Sequence, residues 1–216
     1  RCNTHRLHHR TRWYGHHERW EVRFLIKNIL MTTSEENDFP PLETERLTLR
    51  LLAKEDTDFV FKHFGDVKVN EFLLDESPVI EYVQAEEIVQ FYAESVGKTF
   101  NRWVIIEKSS KRLIGTCGFH KWDKRNRRSE IGYDLSPDYW RKGYMTEALS
   151  AVIANGFERM RLNRIEAQVY IENEASVRLL QKMGFQQEAL LRDYYCVDGK
   201  FYDHYLFSLI KRDREV

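Results

Sequence analysis

The stretch Ser129-Glu130-Ile131-Gly132-Tyr133-Asp134-Leu135-Ser136-Pro137-Asp138-Tyr139-Trp140-Arg141-Lys142-Gly143-Tyr144-Met145-Thr146-Glu147-Ala148 decides the fold. Its first seven residues read as a strand, which Pro137 stops. A loop containing Arg141-Lys142-Gly143 then opens directly into a helix from about Tyr144. Met145, Ala148, Leu149, Val152 and Gly156 form one stripe of that helix. The first N–H groups of a helix lack internal partners and carry partial positive charge. Gly143 permits a tight turn and a close ligand approach. The combination suits a phosphate. Cations at a helix start are unfavourable by a few tenths of a kcal/mol, and a bound polyanion reverses that sign. For Arg-Lys-Gly alone, a solvated loop is the competing reading. The chain has neither a Walker loop nor a GxGxxG fingerprint.

Outward from this stretch, residues 45–52 alternate as a strand, and a helix starting at Lys54-Glu55-Asp56 carries Phe59, Phe61 and Phe64. Ser77-Pro78 precedes a longer helix with Ile88, Phe91, Tyr92 and Val96 at helical spacing. Residues 103–106, 113–121 and 129–135 read as an antiparallel meander. Residues 165–170 form a strand, and 173–183 a helix that Gly184 terminates. Residues 187–191 and 201–210 close as a hairpin across Asp198-Gly199. The order is β-α-α-β-β-β-α-β-α-β-β, a mixed α/β (α+β) architecture that is neither doubly wound nor a sandwich.

The 216 residues include 34 Lys and Arg against 34 Asp and Glu; 31% are charged and 42% hydrophobic. This excludes a wholly disordered or fibrous chain. A mean hydropathy of -0.60 and the lack of a long uncharged apolar run argue against a membrane partner. Cys2, Cys117 and Cys196 make no paired framework, so a reducing cytoplasm is the expected location. The neutral total is a sum of unlike parts. Residues 1–30 hold seven cations, two acids and five of the eight histidines, leaving 27 cations and 32 acids to residues 31–216. Met31 opens an ordinary polar N-terminus. We read 1–30 as a non-native basic leader and 31–216 as a single domain. A nucleic-acid arm and a metal site at His5, His8, His9, His16 and His17 are weaker readings of the leader. The histidines lack a companion Cys or carboxylate set, so no metal is expected. The nucleic-acid arm depends wholly on residues 1–30, and no nucleic acid is expected either.

Two motifs, residues 139–148 quoted above and Asn173-Glu174-Ala175-Ser176 followed by Gly184-Phe185, together resemble the GNAT superfamily of acetyl-CoA-dependent N-acetyltransferases. Within it the chain is most similar to the ribosomal-protein N-terminal (alanine/serine) acetyltransferase branch. Thr44-Glu45-Arg46-Leu47-Thr48-Leu49-Arg50, Glu130-Ile131-Gly132-Tyr133 and Gly199-Lys200-Phe201-Tyr202-Asp203 match that branch too. The resemblance covers about Leu42 to Ile210. The superfamily loop is Gln/Arg-x-x-Gly-x-Gly/Ala; here Trp140 and Met145 hold its first and last positions, and only Gly143 is kept.

The resemblance implies the GNAT fold and acetyl-CoA as cosubstrate, with no metal. It implies that Arg141, Lys142, Gly143, Tyr144, Met145 and Thr146 hold the pyrophosphate of coenzyme A. Around Leu135 the strand would pair its backbone with the pantetheine arm, and one N–H would polarise the thioester carbonyl. Asn173 would bond the pantetheine. Ser176 would face the sulfur and stabilise the departing thiolate, with Tyr194 and Tyr195 as alternative donors. Glu130 is the candidate base, better suited if burial raises its pKa; the competing reading is a strand-face ion pair with Arg127 or Arg128. Phe119, His120 and Trp122 are candidates to line the acceptor pocket, or else packing. Cys117 reads as core, not nucleophile.

The expected reaction is direct attack of a primary amine on the thioester. A weakly specified base suits an α-amine better than a lysine side chain. The expected acceptor is therefore a protein N-terminus such as that of a ribosomal protein, and the enzyme a monomer or homodimer. A small-molecule amine (polyamine or aminoglycoside) and a non-catalytic acyl-CoA sensor are the alternatives.

Overall fold

The computed structural model describes residues 38–74, 77–94 and 97–214. The readings of residues 1–30, and of Val96 on its helix, lie outside the described residues. The strands are β1 (Leu42–Glu43), β2 (Leu47–Leu51), β3 (Trp103–Glu107), β4 (Leu113–Asp123), β5 (Arg128–Leu135), β6 (Arg164–Tyr170), β7 (Gln186–Val197) and β8 (Lys200–Ile210). The helices are α1 (Thr57–Phe64), α2 (Val67–Asn70), α3 (Tyr82–Ala93), α4 (Tyr144–Glu158) and α5 (Glu174–Lys182). The strands form one eight-stranded sheet in the order β1-β2-β3-β4-β5-β6-β8-β7. Every pairing is antiparallel except β5 with β6.

Strand alternation assigns each side chain to one of two cores. In β3, Trp103 and Ile105 enter the larger core, while Val104 enters the smaller. The larger core fills the space between the sheet and α4 and α5, with Phe119, Ile131, Ile165, Ala167, Phe207, Leu149, Val152 and Leu180 among its members. The smaller packs Leu52, Val60, Val79, Ala85 and Val89 under α1 and α3. Each fully buried aliphatic side chain contributes about 1.5–3 kcal/mol. The expected stripe of α4 is buried throughout. Cys117 is fully buried, and burial pushes its thiol well above the ordinary range, which suits packing and not nucleophilic attack.

Three local readings change. Phe91 is 54% exposed and stacks on Phe100 outside the core; Ala85 and Val89 take the inner stripe of α3. The single turn α2 was not foreseen. Asp66 makes it by accepting from the N–H groups of Lys68 (2.8 Å) and Val69 (3.1 Å). β7 runs twelve residues, and register shifts between Gln187 and Ala189 and between Leu191 and Tyr195 break the alternation that would have marked its length.

On the α1 side of the sheet lies a buried charged network. Asp134 of β5 accepts from His63 Nε2 (2.6 Å), Thr116 N (3.0 Å) and Thr116 Oγ1 (2.7 Å), and is ion-paired with Arg102. His63 also meets Ser136 Oγ at 3.0 Å. The side chain of Asp134 is 3% exposed. Burial alone would push its carboxyl up. The Arg102 charge, with His63 and Thr116, outweighs burial and holds it well below the usual carboxylate range.

The network therefore stabilises the fold above the unfolded Asp value near 4 and loses that contribution as pH falls below it. Asp134→Asn leaves Arg102 buried without its counter-charge and is expected to cost about 3–5 kcal/mol at pH 7. Denaturant titrations at pH 7, 5 and 3 check this: the gap between wild type and variant should narrow towards pH 3.

Candidate active site

The β5–β6 ladder is short. It pairs Arg128 with Arg164, Ser129 with Ile165 and Glu130 with Glu166, and ends there. β6 continues alongside β8 as far as Tyr170 opposite His204. The two parallel strands thus diverge, and a cleft opens between them. Ser136 N donates to the Ile114 carbonyl at 2.8 Å. The alternation of an antiparallel ladder then turns the main chain of Tyr133 and Leu135 away from β4 and into this cleft. An extended pantetheine arm fits such an edge by strand addition. Trp140 Nε1 donates to the Leu135 carbonyl at 2.7 Å, so Leu135 has its N–H to offer there.

At the mouth of the cleft, Gly143 caps α4 with φ +79°, a left-handed conformation that suits glycine. No side chain caps this helix end, so its first N–H groups face outward. Arg141 (φ +60°) and Lys142 are exposed beside them. Met145 buries its side chain in the core, and the Tyr144 hydroxyl bonds Glu107 of β3. These two positions can therefore serve an anion only through their backbone. A helix start with free donors and two flanking cations fits the pyrophosphate of coenzyme A.

The loop is anchored by residues that sequence reasoning assigned no role. Glu147, in the first turn of α4, accepts from Thr44 Oγ1 (2.6 Å), Arg46 N (2.7 Å) and Arg46 Nε (2.6 Å). Arg46 also donates to the Lys142 carbonyl (3.0 Å) and lies 4.4 Å from the centre of the Tyr144 ring. The start of β2 thus clamps the phosphate loop and α4 together.

Across the cleft, Asn173 Oδ1 accepts from Ser176 N at 3.1 Å, capping α5. Ser176 Oγ lies 2.6 Å from the hydroxyl of Tyr133, another residue that was overlooked. Strand alternation could have flagged it, since Tyr133 shares the face of Ile131. Tyr194 and Tyr195 pack around His204 on the hairpin of β7 and β8, and the Tyr195 hydroxyl donates to Gln168 Oε1 of β6 at 3.4 Å.

The other face of β5 holds the acceptor-side candidates. Glu130 stands opposite His120 and is paired with Lys121 (3.0 Å), not with Arg127 or Arg128. His120 is half-buried beside Gly132 and meets Tyr92 edge-on. Burial, with the nearby Arg102 and Lys121 charges, pushes its imidazole down to about 4. Phe119 and Trp122 do not join it. Phe119 is fully buried against Trp103 in the larger core. A bulge between His120 and Asp123, where Lys121 has φ +52°, turns Trp122 back towards Phe39. Among the described residues no cluster of three or more His, Cys, Asp or Glu could hold a metal. No helix there is long and apolar enough to cross a membrane.

Residues 46–186 match the model of the acetyltransferase (GNAT) domain family. The chain belongs to the GNAT acetyltransferases. It is 43% identical over 80% of its length to an uncharacterized N-acetyltransferase, p20, of Bacillus licheniformis, covering 97% of that protein. It is 28% identical to the [ribosomal protein uS5]-alanine N-acetyltransferase of Escherichia coli, over 80% of this chain and 91% of that one. Its fold matches the spermidine N-acetyltransferase of Vibrio cholerae, solved with CoA and spermine, with a TM-score of 0.71 at 21% identity over 80% of this chain and 100% of that one. The protein is thus an acetyl-CoA-dependent N-acyltransferase of GNAT fold.

Gly143→Ala forces a side chain into positive φ with its Cβ 3.4 Å from Arg46. It should cost about 1 kcal/mol of stability and weaken coenzyme A binding several-fold. Thermal melts and calorimetric titration with coenzyme A check both.

Proposed function

We propose that the enzyme transfers the acetyl group to the N-terminal α-amine of a protein, such as a ribosomal protein, in the cytoplasm. The observation that carries this reading is the character of the acceptor face. His120 is held down to about 4, and the Glu130 carboxylate is engaged by Lys121. An imidazole held so low is a poor base for an ammonium, so the site favours an amine that is already largely neutral in solution. At pH 7.5 about a quarter of α-amines are neutral, against about one lysine side chain in a thousand. The relative in Escherichia coli acts, by its name, on an alanine of ribosomal protein uS5, which supports the same choice.

In this reading the amine attacks the thioester carbonyl carbon from the α1–α3 side of the sheet. The Leu135 N–H polarises the carbonyl oxygen. The carbon–sulfur bond breaks with its electron pair passing to sulfur, which Ser176 faces. Glu130 takes the amine proton, directly or through water. Arg141 to Thr146 hold the pyrophosphate, and Asn173 bonds the pantetheine arm through its amide.

Thiol release from acetyl-CoA, measured with N-terminal peptides, polyamines and aminoglycosides, tests the acceptor. The proposal expects turnover with alanine- or serine-initiated peptides. Turnover confined to polyamines would sink it, and a coenzyme-induced rise in Tm without release from any acceptor would mark a sensor. Glu130→Gln should slow peptide turnover by about a hundredfold with coenzyme A affinity unchanged. Wild-type rates in that variant from pH 6 to 9 would remove Glu130 from the reaction.

A further inference from the structure

We propose that Tyr133 is a positioning residue that fixes the Ser176 hydroxyl as a donor aimed into the cleft between β5 and β6. The inference rests on the reading of Ser176 as the group that faces the coenzyme sulfur. Its basis is a count of protons. The two hydroxyls lie 2.6 Å apart, and by geometry either could donate to the other. Each has one proton. Ser176 is the hydrogen-bond partner of the Tyr133 hydroxyl among the described residues. Tyr133 packs against the larger core. If the serine donated, the phenol proton would lose the one acceptor it has among the described residues, an arrangement that largely buried polar groups avoid. The phenol therefore donates and the serine accepts. That leaves the serine proton free to turn towards the cleft, where the Asn173 cap already holds its backbone.

A hydroxyl that accepts one hydrogen bond becomes a stronger donor in the next. As the carbon–sulfur bond breaks, the electron pair moves to sulfur, and the Ser176 O–H stabilises it there. No proton leaves Tyr133. Burial raises its pKa, so the phenol stays neutral while serving as a fixed donor. Tyr133 thus acts through Ser176 without touching the coenzyme.

The test titrates the thiol of bound coenzyme A by the ultraviolet absorbance of its thiolate, in wild type, Tyr133→Phe, Ser176→Ala and the double variant. Tyr133→Phe removes one hydroxyl and keeps the ring. Both single variants should raise the bound thiol pKa by about one pH unit, a tenfold change in the thiolate equilibrium. The double variant should rise no further than Ser176→Ala. With a peptide acceptor, kcat in each single variant should fall about tenfold while the KM for acetyl-CoA stays constant. A wild-type thiol pKa in Tyr133→Phe beside a raised one in Ser176→Ala overturns the coupling alone, as does a double variant whose shift is the sum of the two. A wild-type value in Ser176→Ala overturns the underlying reading of Ser176 and the proposal with it.

Discussion

The structure depends on a parallel ladder that stops after three residue pairs. β5 and β6 must separate, because β5 stays with β4 through Leu135 while β6 stays with β8 through Tyr170. Main-chain donors and acceptors at the end of β5 are left facing a gap. Buried backbone groups require partners, and an extended amide-bearing arm is the natural one. The candidate cleft is thus the unfinished part of the sheet.

The other features support that gap. α5 sets Ser176 on one wall, and α4 brings its start to the mouth. The clamp of Glu147 on Thr44 and Arg46 ties the first long strand to that helix, so the phosphate loop is referenced to the sheet. Beneath the far face, Asp134 is fixed by Arg102, His63 and Thr116. Its chain neighbours Tyr133 and Leu135 are thereby held in register on the opposite side. One strand carries a buried, charged network on one face and a hydroxyl pair on the other.

Much of this was legible in the sequence, for identifiable reasons. α4 and β5 announce themselves through strong periodicity, and the loop between them through Arg-Lys-Gly at a helix start. Asn173 was correctly read as a cap. Phe119 and His120, neighbours in β4, simply face opposite sides of the sheet; the other misreadings in the site come from backbone irregularity and distance along the chain. The bulge at Lys121 reverses Trp122, and two shifts in β7 hide most of that strand. The Thr44–Glu147 bond joins residues 103 positions apart. No local pattern encodes such a contact, and the Tyr133–Ser176 pair, 43 positions apart, is of the same kind. The residues that bind through backbone were easier to find than those whose side chains meet across elements.

The margins of the sheet carry a last consequence. An open sheet of eight strands has two free borders, and a long flat border invites another chain to hydrogen-bond along it. Here one border is β1, two residues long, and the other is β7, interrupted by two bulges, with Asp193 at φ +51° in the second. Neither offers an unbroken run of amides. The long unpaired stretch lies inside, where β5 and β6 part, and the stretches outside are blunted, where association would be indiscriminate.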